Sequence, residues 1–347
     1  MRLYLIFVLS LFLQVGLFAQ DVAYSQFYNS NAVLNPALIG VYDGQNRLTL
    51  NYRDQWASIH RNNSYRTLSA QFDGKVHIKR NDFLTYGIDF TKDQAGNSNY
   101  LQQNGHFNIG YVKQIGTNAY SPVDHFLVGA LRLGFGQNRL SLADLWFGNQ
   151  FNKSSGTIDF GAASNEELLG NGSTPLFGDF GMGLLYYGVI KDRHNFYAGF
   201  SANHLNQPRV SVTEFGDFRL KRLYVFHAGT ELPHNRELSS MINFATYFQG
   251  SSRMFMPGYT ARYKHKDWKE IALRAGVWSR FVAGEEFVES IVFGTTFEYE
   301  SILFGLSYDV TTTSLVQANS GRGSIELSFQ YINRNTKYRS PITCPKF

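Results

Sequence analysis

The side chains of this sequence that could carry chemistry are few, and their spacing is not that of a catalytic site. His106 and His227 lie in strand-like segments, and neither belongs to a G-x-S-x-G or H-E-x-x-H motif. The nine histidines and the single cysteine show no metal-ligand spacing. The Gly-Phe-Gly at 134–136 lacks the rest of a dinucleotide fingerprint. We therefore expect no enzyme activity, no metal and no cofactor.

The one cysteine, Cys344, lies three residues from the end of the sequence. A single thiol rules out a disulfide within the chain. It leaves open whether Cys344 pairs with another chain or stays free.

Turn-forming residues are concentrated near the N-terminus. Asn35-Pro36 requires an extended or turn conformation at Asn35, and Gly40 permits a sharp bend. Residues 21–45 show no membrane-strand pattern. We expect residues 25–40 to lie against the inner wall or the periplasmic mouth of a barrel, with Asn35 hydrogen-bonding across the turn. The alternative is a plain extension that caps the first strand.

Residues 1–20 have the parts of a secretory signal peptide. Arg2 supplies the positive charge, residues 3–13 are apolar, and Ala19 offers a small residue at the cleavage point. The apolar run is too short to span a bilayer comfortably. No cysteine lies near the junction, so we expect no lipoprotein anchor. We expect an exported mature chain that begins at Gln20 or Asp21.

The composition is typical of a transmembrane β-barrel. Aromatic residues make up 16% of the chain, with 30 Phe, 21 Tyr and 32 Gly, yet the mean hydropathy is only −0.24. A barrel explains both values, because one face of each strand meets lipid while the other meets water. The net charge of +5 does not identify a partner. No basic block with interleaved aromatics indicates nucleic acid.

Short alternating segments recur through the chain and predict an all-β, antiparallel, up-and-down barrel of about fourteen strands. In 84–90 the apolar side chains alternate with Thr85, Gly87 and Asp89. In 324–332 they alternate with Glu326, Ser328 and Gln330. The predicted strands are 47–53, 65–72, 84–90, 101–111, 126–136, 180–190, 196–202, 222–231, 241–249, 258–264, 271–280, 287–299, 301–309 and 324–332.

Three long polar connections, 149–179, 207–217 and 311–322, are expected on the outer face, since short turns belong to the periplasmic side. The first of them could also fold into the mouth. We divide the chain into a signal peptide (1–20), an N-terminal non-strand segment (21–45), a barrel (46–333) and a basic tail (334–347). The tail is either disordered or in contact with a periplasmic component.

An ordered set of motifs resembles the PorP/SprF family of outer-membrane proteins of the type IX secretion system. The motifs are Ser-Gln-Phe-Tyr at 25–28, Leu-Asn-Pro-Ala at 34–37, Gly40, Asn-Tyr-Arg-Asp-Gln-Trp at 51–56, 181–187, 195–201, His204-Leu205, Gln207-Pro208, 227–229, 305–309, 323–328 and Cys-Pro-Lys-Phe at 344–347. None is specific alone, and their order along the chain carries the resemblance.

The resemblance implies an integral outer-membrane barrel that contacts lipid, other secretion-system subunits and a secreted cargo protein. In gliding bacteria such cargo includes adhesins, bound through their C-terminal signal domain. It also marks Asn35, Pro36, Gly40, Arg53 and Trp56 as partner-binding or plug residues. The alternative function is a transport barrel for a hydrophobic or small polar solute, similar to the fatty-acid transporters.

Overall fold

The computed structural model describes residues 21–58, 64–79, 82–96, 100–116, 123–141, 145–159, 161–162, 172–190, 194–213, 216–267, 271–284 and 286–334. The predicted signal peptide at 1–20 lies outside these ranges, as do Cys344 and the predicted tail beyond Arg334.

Fourteen long antiparallel strands form a closed barrel, and two short strands form a hairpin in one connection. The bounds are β1 Asn46–Gln55, β2 Tyr65–Lys79, β3 Asp82–Ala95, β4 Tyr100–Gly116, β5 Val123–Arg139, β6 Phe151–Asn152, β7 Thr157–Ile158, β8 Phe177–Ile190, β9 Asn195–Asn203, β10 Leu223–Pro233, β11 Leu238–Gln249, β12 Ser252–Tyr263, β13 Ile271–Val282, β14 Val288–Tyr299, β15 Ile302–Thr311 and β16 Arg322–Asn333.

The barrel closes because β1 pairs with both β2 and β16. Leu50 lies opposite Ala70 on one side and opposite Phe329 on the other. The remaining barrel strands pair in chain order, with β5 next to β8. The predicted all-β antiparallel barrel of about fourteen strands is therefore confirmed.

The two faces of the strands carry the predicted alternation. On β16, Ile325 is 48% exposed on the outer face, and the neighbouring Glu326 is 0% exposed on the inner face. On β3, the outward Ile88 and the inward Asp89 show the same contrast. The outer surface is therefore apolar and suited to lipid, while the inner wall is polar.

The connections differ between the two ends of the barrel. One end, here called the long-loop end, carries connections 140–176, 204–222 and 312–321, together with the connections that follow β1, β3, β11 and β13. The other, the short-turn end, carries brief connections, the start of β1 and the end of β16. The short-turn end of an outer-membrane barrel faces the periplasm. In the 149–179 connection, the β6–β7 hairpin exposes Phe151 and Asn152.

Residues 21–42, here called the plug segment, lie inside the barrel. Their apolar side chains, among them Phe27, Leu34 and Leu38, form one buried cluster with inward side chains of the wall such as Phe126 and Trp278. The segment lies against the inner wall, as expected, but it is not confined to the periplasmic mouth. It runs from the long-loop end to the start of β1. Among the described residues, no helix is long and apolar enough to cross a membrane.

Candidate functional site

The plug segment folds into three short turns. These are a 3-10 turn at Phe27–Asn29, one helical turn at Asn31–Leu34 and a second 3-10 turn at Pro36–Leu38. Residues 22–42 contain no charged side chain. Because so short a segment cannot satisfy all its backbone groups by itself, the wall must supply the missing partners.

Asn35 joins the plug segment to three wall strands. Its Oδ1 accepts a hydrogen bond from the Ala37 backbone N–H at 2.9 Å, which caps the second 3-10 turn. Its Nδ2 donates to the carbonyl oxygens of Leu184 and Phe200, at 3.0 and 3.2 Å. Nδ2 also lies 2.9 Å from Nε2 of His227, so the two hydrogens of the amide are shared among these three acceptors. The predicted hydrogen bond across the turn is present, and the same side chain also binds β8, β9 and β10.

Two wall glycines make room for Asn35. A Cβ atom at Gly183 would lie 2.0 Å from Asn35 Oδ1 and 2.9 Å from the Ala37 nitrogen. A Cβ atom at Gly199 would lie 2.2 Å from His227 Nε2 and 2.9 Å from Asn35 Nδ2. Sequence reasoning did not assign these glycines to the site. The available signal was a glycine inside a strand, which often marks a close approach of another backbone.

Pro36 and Gly40 shape the part of the plug segment that lies towards the short-turn end. Pro36 occupies the first position of its turn, where no N–H donor is needed. Gly40 has a φ of +72°, and its N–H donates to Asp73 Oδ2 at 2.8 Å. A Cβ atom at Gly40 would lie 2.3 Å from Thr85 Cγ2. The same Asp73 carboxylate accepts from Arg47 through both oxygens, at 3.0 and 2.9 Å. Glycine is therefore required at position 40 by both conformation and space.

Arg53 contacts the plug segment nearer the long-loop end, and Trp56 lies at the rim. The Arg53 guanidinium donates to the backbone carbonyl of Ala23 and lies 3.4 Å from Asp309. Trp56 follows β1 with a φ of +60°, and its ring packs edge-on against Tyr65 at 5.2 Å. The structure thus brings Asn35, Pro36, Gly40 and Arg53 together around one segment and puts Trp56 at the long-loop end.

Glu326 is a wall residue that sequence reasoning placed on the inner face without a role. It is fully buried, and its two carboxylate oxygens accept from the consecutive backbone N–H groups of Ser25 and Gln26, each at 2.8 Å. The Ser25 hydroxyl donates to Asp309 and accepts from Arg280, each at 2.7 Å. These wall residues lie 255 to 301 positions from Ser25 in sequence, and no local pattern connects them.

His204, just beyond β9, binds the first described residue of the chain. Its Nε2 lies 2.5 Å from Asp21 Oδ2, and its Nδ1 lies 2.9 Å from Asp179 Oδ2. Burial alone would lower the pKa of His204, but the two carboxylates outweigh burial and raise that pKa to about 10. The protonated imidazolium therefore links Asp21 to β8 at the long-loop end.

The plug segment leaves little free space in the lumen. Two cavities beside it have volumes of about 70 and 60 Å³, room for a few waters and well below the ~300 Å³ of small-ligand pockets. A larger cavity of about 310 Å³ opens on the outer, lipid-facing surface beside Gly105. Within the described ranges, no cluster of three or more His, Cys, Asp or Glu side chains could hold a metal ion. The polar side chains of the inner wall are thus arranged to hold a peptide segment, here the chain's own residues 21–42.

Comparison with known proteins supports the fold and identifies a matching family. The family profile described as "Type IX secretion system membrane protein PorP/SprF" matches residues 17–331. No curated protein sequence matches significantly. The solved "TodX monoaromatic hydrocarbon channel deltaS2 mutant" has a TM-score of 0.52 at 12% identity, covering 87% of this chain and 93% of that one. The TodX deltaS2S3 mutant channel has a TM-score of 0.51 at 10% identity, covering 88% and 94%. At these identities, the structural likeness establishes the fold alone.

Proposed function

Because this chain belongs to the PorP/SprF family of type IX secretion system membrane proteins, we propose that it binds a secreted surface protein at the outer membrane. The partner is an adhesin-like cargo, recognised through its C-terminal signal domain. The chain acts there as a docking subunit beside the other secretion-system subunits, and the cargo does not pass through its lumen.

One observation carries this proposal: the chain's own residues 21–42 fill the lumen. Beside the plug segment, the described residues leave cavities of about 70 and 60 Å³, which are too small to admit a polypeptide or a folded domain. A barrel that is closed in this way can still serve secretion through its surface.

The long-loop end supplies a surface of the required kind. Trp146 and Phe151 are 49% and 40% exposed, and their rings lie 6.2 Å apart on the connection between β5 and β8. Leu176 and Phe287, in loops at the same end, are 69% and 62% exposed. Because these side chains lie beyond the strands that face lipid, their apolar surface is available to a protein partner.

The test is affinity capture of the tagged chain from detergent-solubilised envelopes of its native cells. We expect a secreted surface protein to copurify with the wild type. The aromatic variant Trp146→Ser/Phe151→Ser should reduce its recovery at least tenfold. The matched control Lys153→Ser changes an exposed polar residue of the same connection and should leave recovery unchanged. Equal recovery with all three proteins, or capture of no surface protein, would contradict the proposal.

A second candidate, transport of a hydrophobic solute, rests on the cavity of about 310 Å³ in the outer surface. Its lining includes Phe72, Phe90, Phe107 and Phe135 around Gly105. Under this alternative, cells without the chain would take up a monoaromatic hydrocarbon more slowly while their surface proteins remained in place. Unchanged hydrocarbon uptake would eliminate it.

A further inference from the structure

An apolar recess of about 310 Å³ opens on the outer face of β2 to β5. Two small outward residues, Ala70 and Gly105, lie on either side of Phe90, because each of them pairs with it across the strands. Four phenylalanine rings form much of the remaining lining, those of Phe72, Phe90, Phe107 and Phe135. The volume is at the lower limit of small-ligand pockets, ~300 Å³. The lipid-facing surface therefore has room here for part of an apolar molecule.

A continuous wall separates the recess from the lumen. The strand pairs β2–β3, β3–β4 and β4–β5 run without a register shift on both sides of the row that contains Ala70, Phe90 and Gly105. On the inner face of this wall, the Asp89 carboxylate and the His106 ring lie 2.8 Å apart behind the recess. Among the described strands, the recess therefore opens towards the membrane and not towards the lumen. The molecule that fills it comes from the bilayer.

Towards the long-loop end, the outward residues change from apolar to polar directly beside the recess. The change occurs at the same height on three neighbouring strands, from Phe90 to Lys92 on β3, from Gly105 to Gln103 on β4 and from Phe135 to Gln137 on β5. Because the short-turn end faces the periplasm, this polar boundary belongs to the outer leaflet. Residues two apart on one face of a strand are separated by about 7 Å, so the recess lies within that distance of the boundary.

The polar boundary beside the recess carries positive charge. Lys92 lies in the row next to Phe90, and Arg66 and Arg139 lie one row further towards the long-loop end, all on the outer face. The carboxylate in these two rows on β1 to β5 is that of Asp54, 3.6 Å from the Arg66 guanidinium. Within the described ranges, the side chains of Lys92 and Arg139 have no hydrogen-bond or ion-pair partner. These cations are therefore available to a phosphate, which an arginine can bind through two parallel N–H groups.

From this arrangement we propose that the outer face of β2 to β5 is a binding site for one outer-leaflet lipid with an anionic phosphate headgroup. An acyl chain of the lipid lies in the recess beside Gly105, and the phosphate lies near Lys92 and Arg139, since basic residues at a membrane surface attract anionic headgroups. Because Arg139 is the last residue of β5, the bound lipid adjoins the start of the 140–176 connection. The site does not depend on the proposed docking of a cargo protein.

The test is native mass spectrometry of the full chain in a neutral detergent, with dioleoyl phosphatidylglycerol or dioleoyl phosphatidylcholine added at known concentrations. The two lipids have the same acyl chains and differ in the charge of the headgroup. We expect the first phosphatidylglycerol molecule to bind the wild type at least tenfold more tightly than phosphatidylcholine. Lys92→Gln/Arg139→Gln should reduce this preference to less than twofold. Ala70→Phe, which fills the recess, should weaken the binding of both lipids.

Two matched controls change outward residues away from the recess. Lys113→Gln removes an exposed cation at the short-turn end of β4, and Ala275→Phe enlarges an exposed alanine on β13, so both should leave the two affinities unchanged. Heat-modifiable migration on gels reports assembly, and Ala70→Leu replaces Ala70→Phe if the latter fails to assemble.

Equal affinity of the wild type for the two lipids would overturn the proposal, as would an equal loss of preference in Lys113→Gln. Unchanged phosphatidylglycerol binding when position 70 is enlarged would show that a headgroup alone is bound, which also contradicts the proposal. A recess that binds toluene but neither lipid would overturn it in favour of the solute alternative.

Discussion

At the scale of single residues, the binding of the plug segment depends on a few polar side chains and on a recess formed by wall glycines. Asn35 is fully buried and bonds to backbone or side-chain atoms on β8, β9 and β10. An amide buried without these partners would be unfavourable by about 1–3 kcal/mol. Its position is fixed by Gly183 and Gly199, whose missing side chains form the recess that receives it.

This recess predicts the effect of adding one methyl group to β8. Gly183→Ala should push Asn35 and Ala37 away and disfavour the inserted plug segment by about 1–3 kcal/mol. Gly178→Ala, on the same strand with no atom within 4 Å of the added Cβ, is the matched control. Chymotrypsin should cleave at Tyr24–Tyr28 faster in the first variant only, with the barrel still heat-modifiable. Identical cleavage in both would show that the recess does not hold the segment.

His204 makes the contact with Asp21, at the long-loop end of the plug segment, dependent on pH. Asp21 and Asp179 face the imidazole directly, and His106 lies 3.6 Å from the same Asp179 carboxylate. With the pKa of His204 raised from 6.5 to about 10, its contribution is fully present below about pH 6.5. It is lost as the pH rises through about 10, since the folded form then no longer binds the extra proton.

We therefore expect release of the N-terminal residues to increase between about pH 6.5 and pH 10. The measurement is the rate of cleavage near Tyr24 by a protease active over that whole range, normalised to a free peptide of the same sequence. His204→Gln keeps a polar side chain but does not titrate, so its normalised rate should be flat. A wild-type rate that is equally flat would rule out this role for His204.

At the scale of secondary-structure elements, the strands are positioned by their alternating pattern and by lipid. Leu131, in the middle of β5, is 59% exposed on the outer face, whereas Leu176, in the loop before β8, is 69% exposed. Leu131→Arg should disfavour assembly by about 2–4 kcal/mol, because a cation would then face the hydrocarbon. Leu176→Arg should change stability by no more than about 0.5 kcal/mol.

The fraction of heat-modifiable protein in isolated outer membranes compares these two leucine variants directly. Similar assembly of both would mean that Leu131 does not face lipid.

The sequence pattern was sufficient to predict all fourteen barrel strands, because each buries one face and exposes the other to lipid. Most of their lengths were underestimated, whereas β14, predicted at 287–299, is one residue shorter at Val288–Tyr299. The segment predicted at 65–72 extends to Lys79 as β2, because pairing with β3 continues and the outward side chains of Val76 and Ile78 carry the alternation on past Gly74. The turn at Asn35-Pro36 was also predictable from local turn chemistry. The partners of Ser25 were not predictable, because they lie on β13, β15 and β16, more than 250 positions along the chain, and only the folded barrel surrounds the N-terminal segment with them.

At the scale of the whole molecule, the two ends of the barrel have different properties. The long-loop end exposes apolar side chains such as Trp146 and Phe287 and begins the plug segment. The short-turn end carries the link from Tyr42 into β1, where Arg47 and Asp73 pair. Within the described residues, a lumen largely occupied by the plug segment therefore lies between an apolar loop surface at one end and short turns at the other.

Surface labelling of native cells with and without the gene tests the central claim most directly. Quantitative mass spectrometry of labelled surface proteins should show one or a few secreted proteins reduced at least tenfold at the surface and retained inside the cells without the gene. The wild-type gene should restore them. Asn35→Ala/Pro36→Ala should restore the barrel to normal abundance but not the display of these proteins. An unchanged set of surface proteins in cells without the gene would contradict the account.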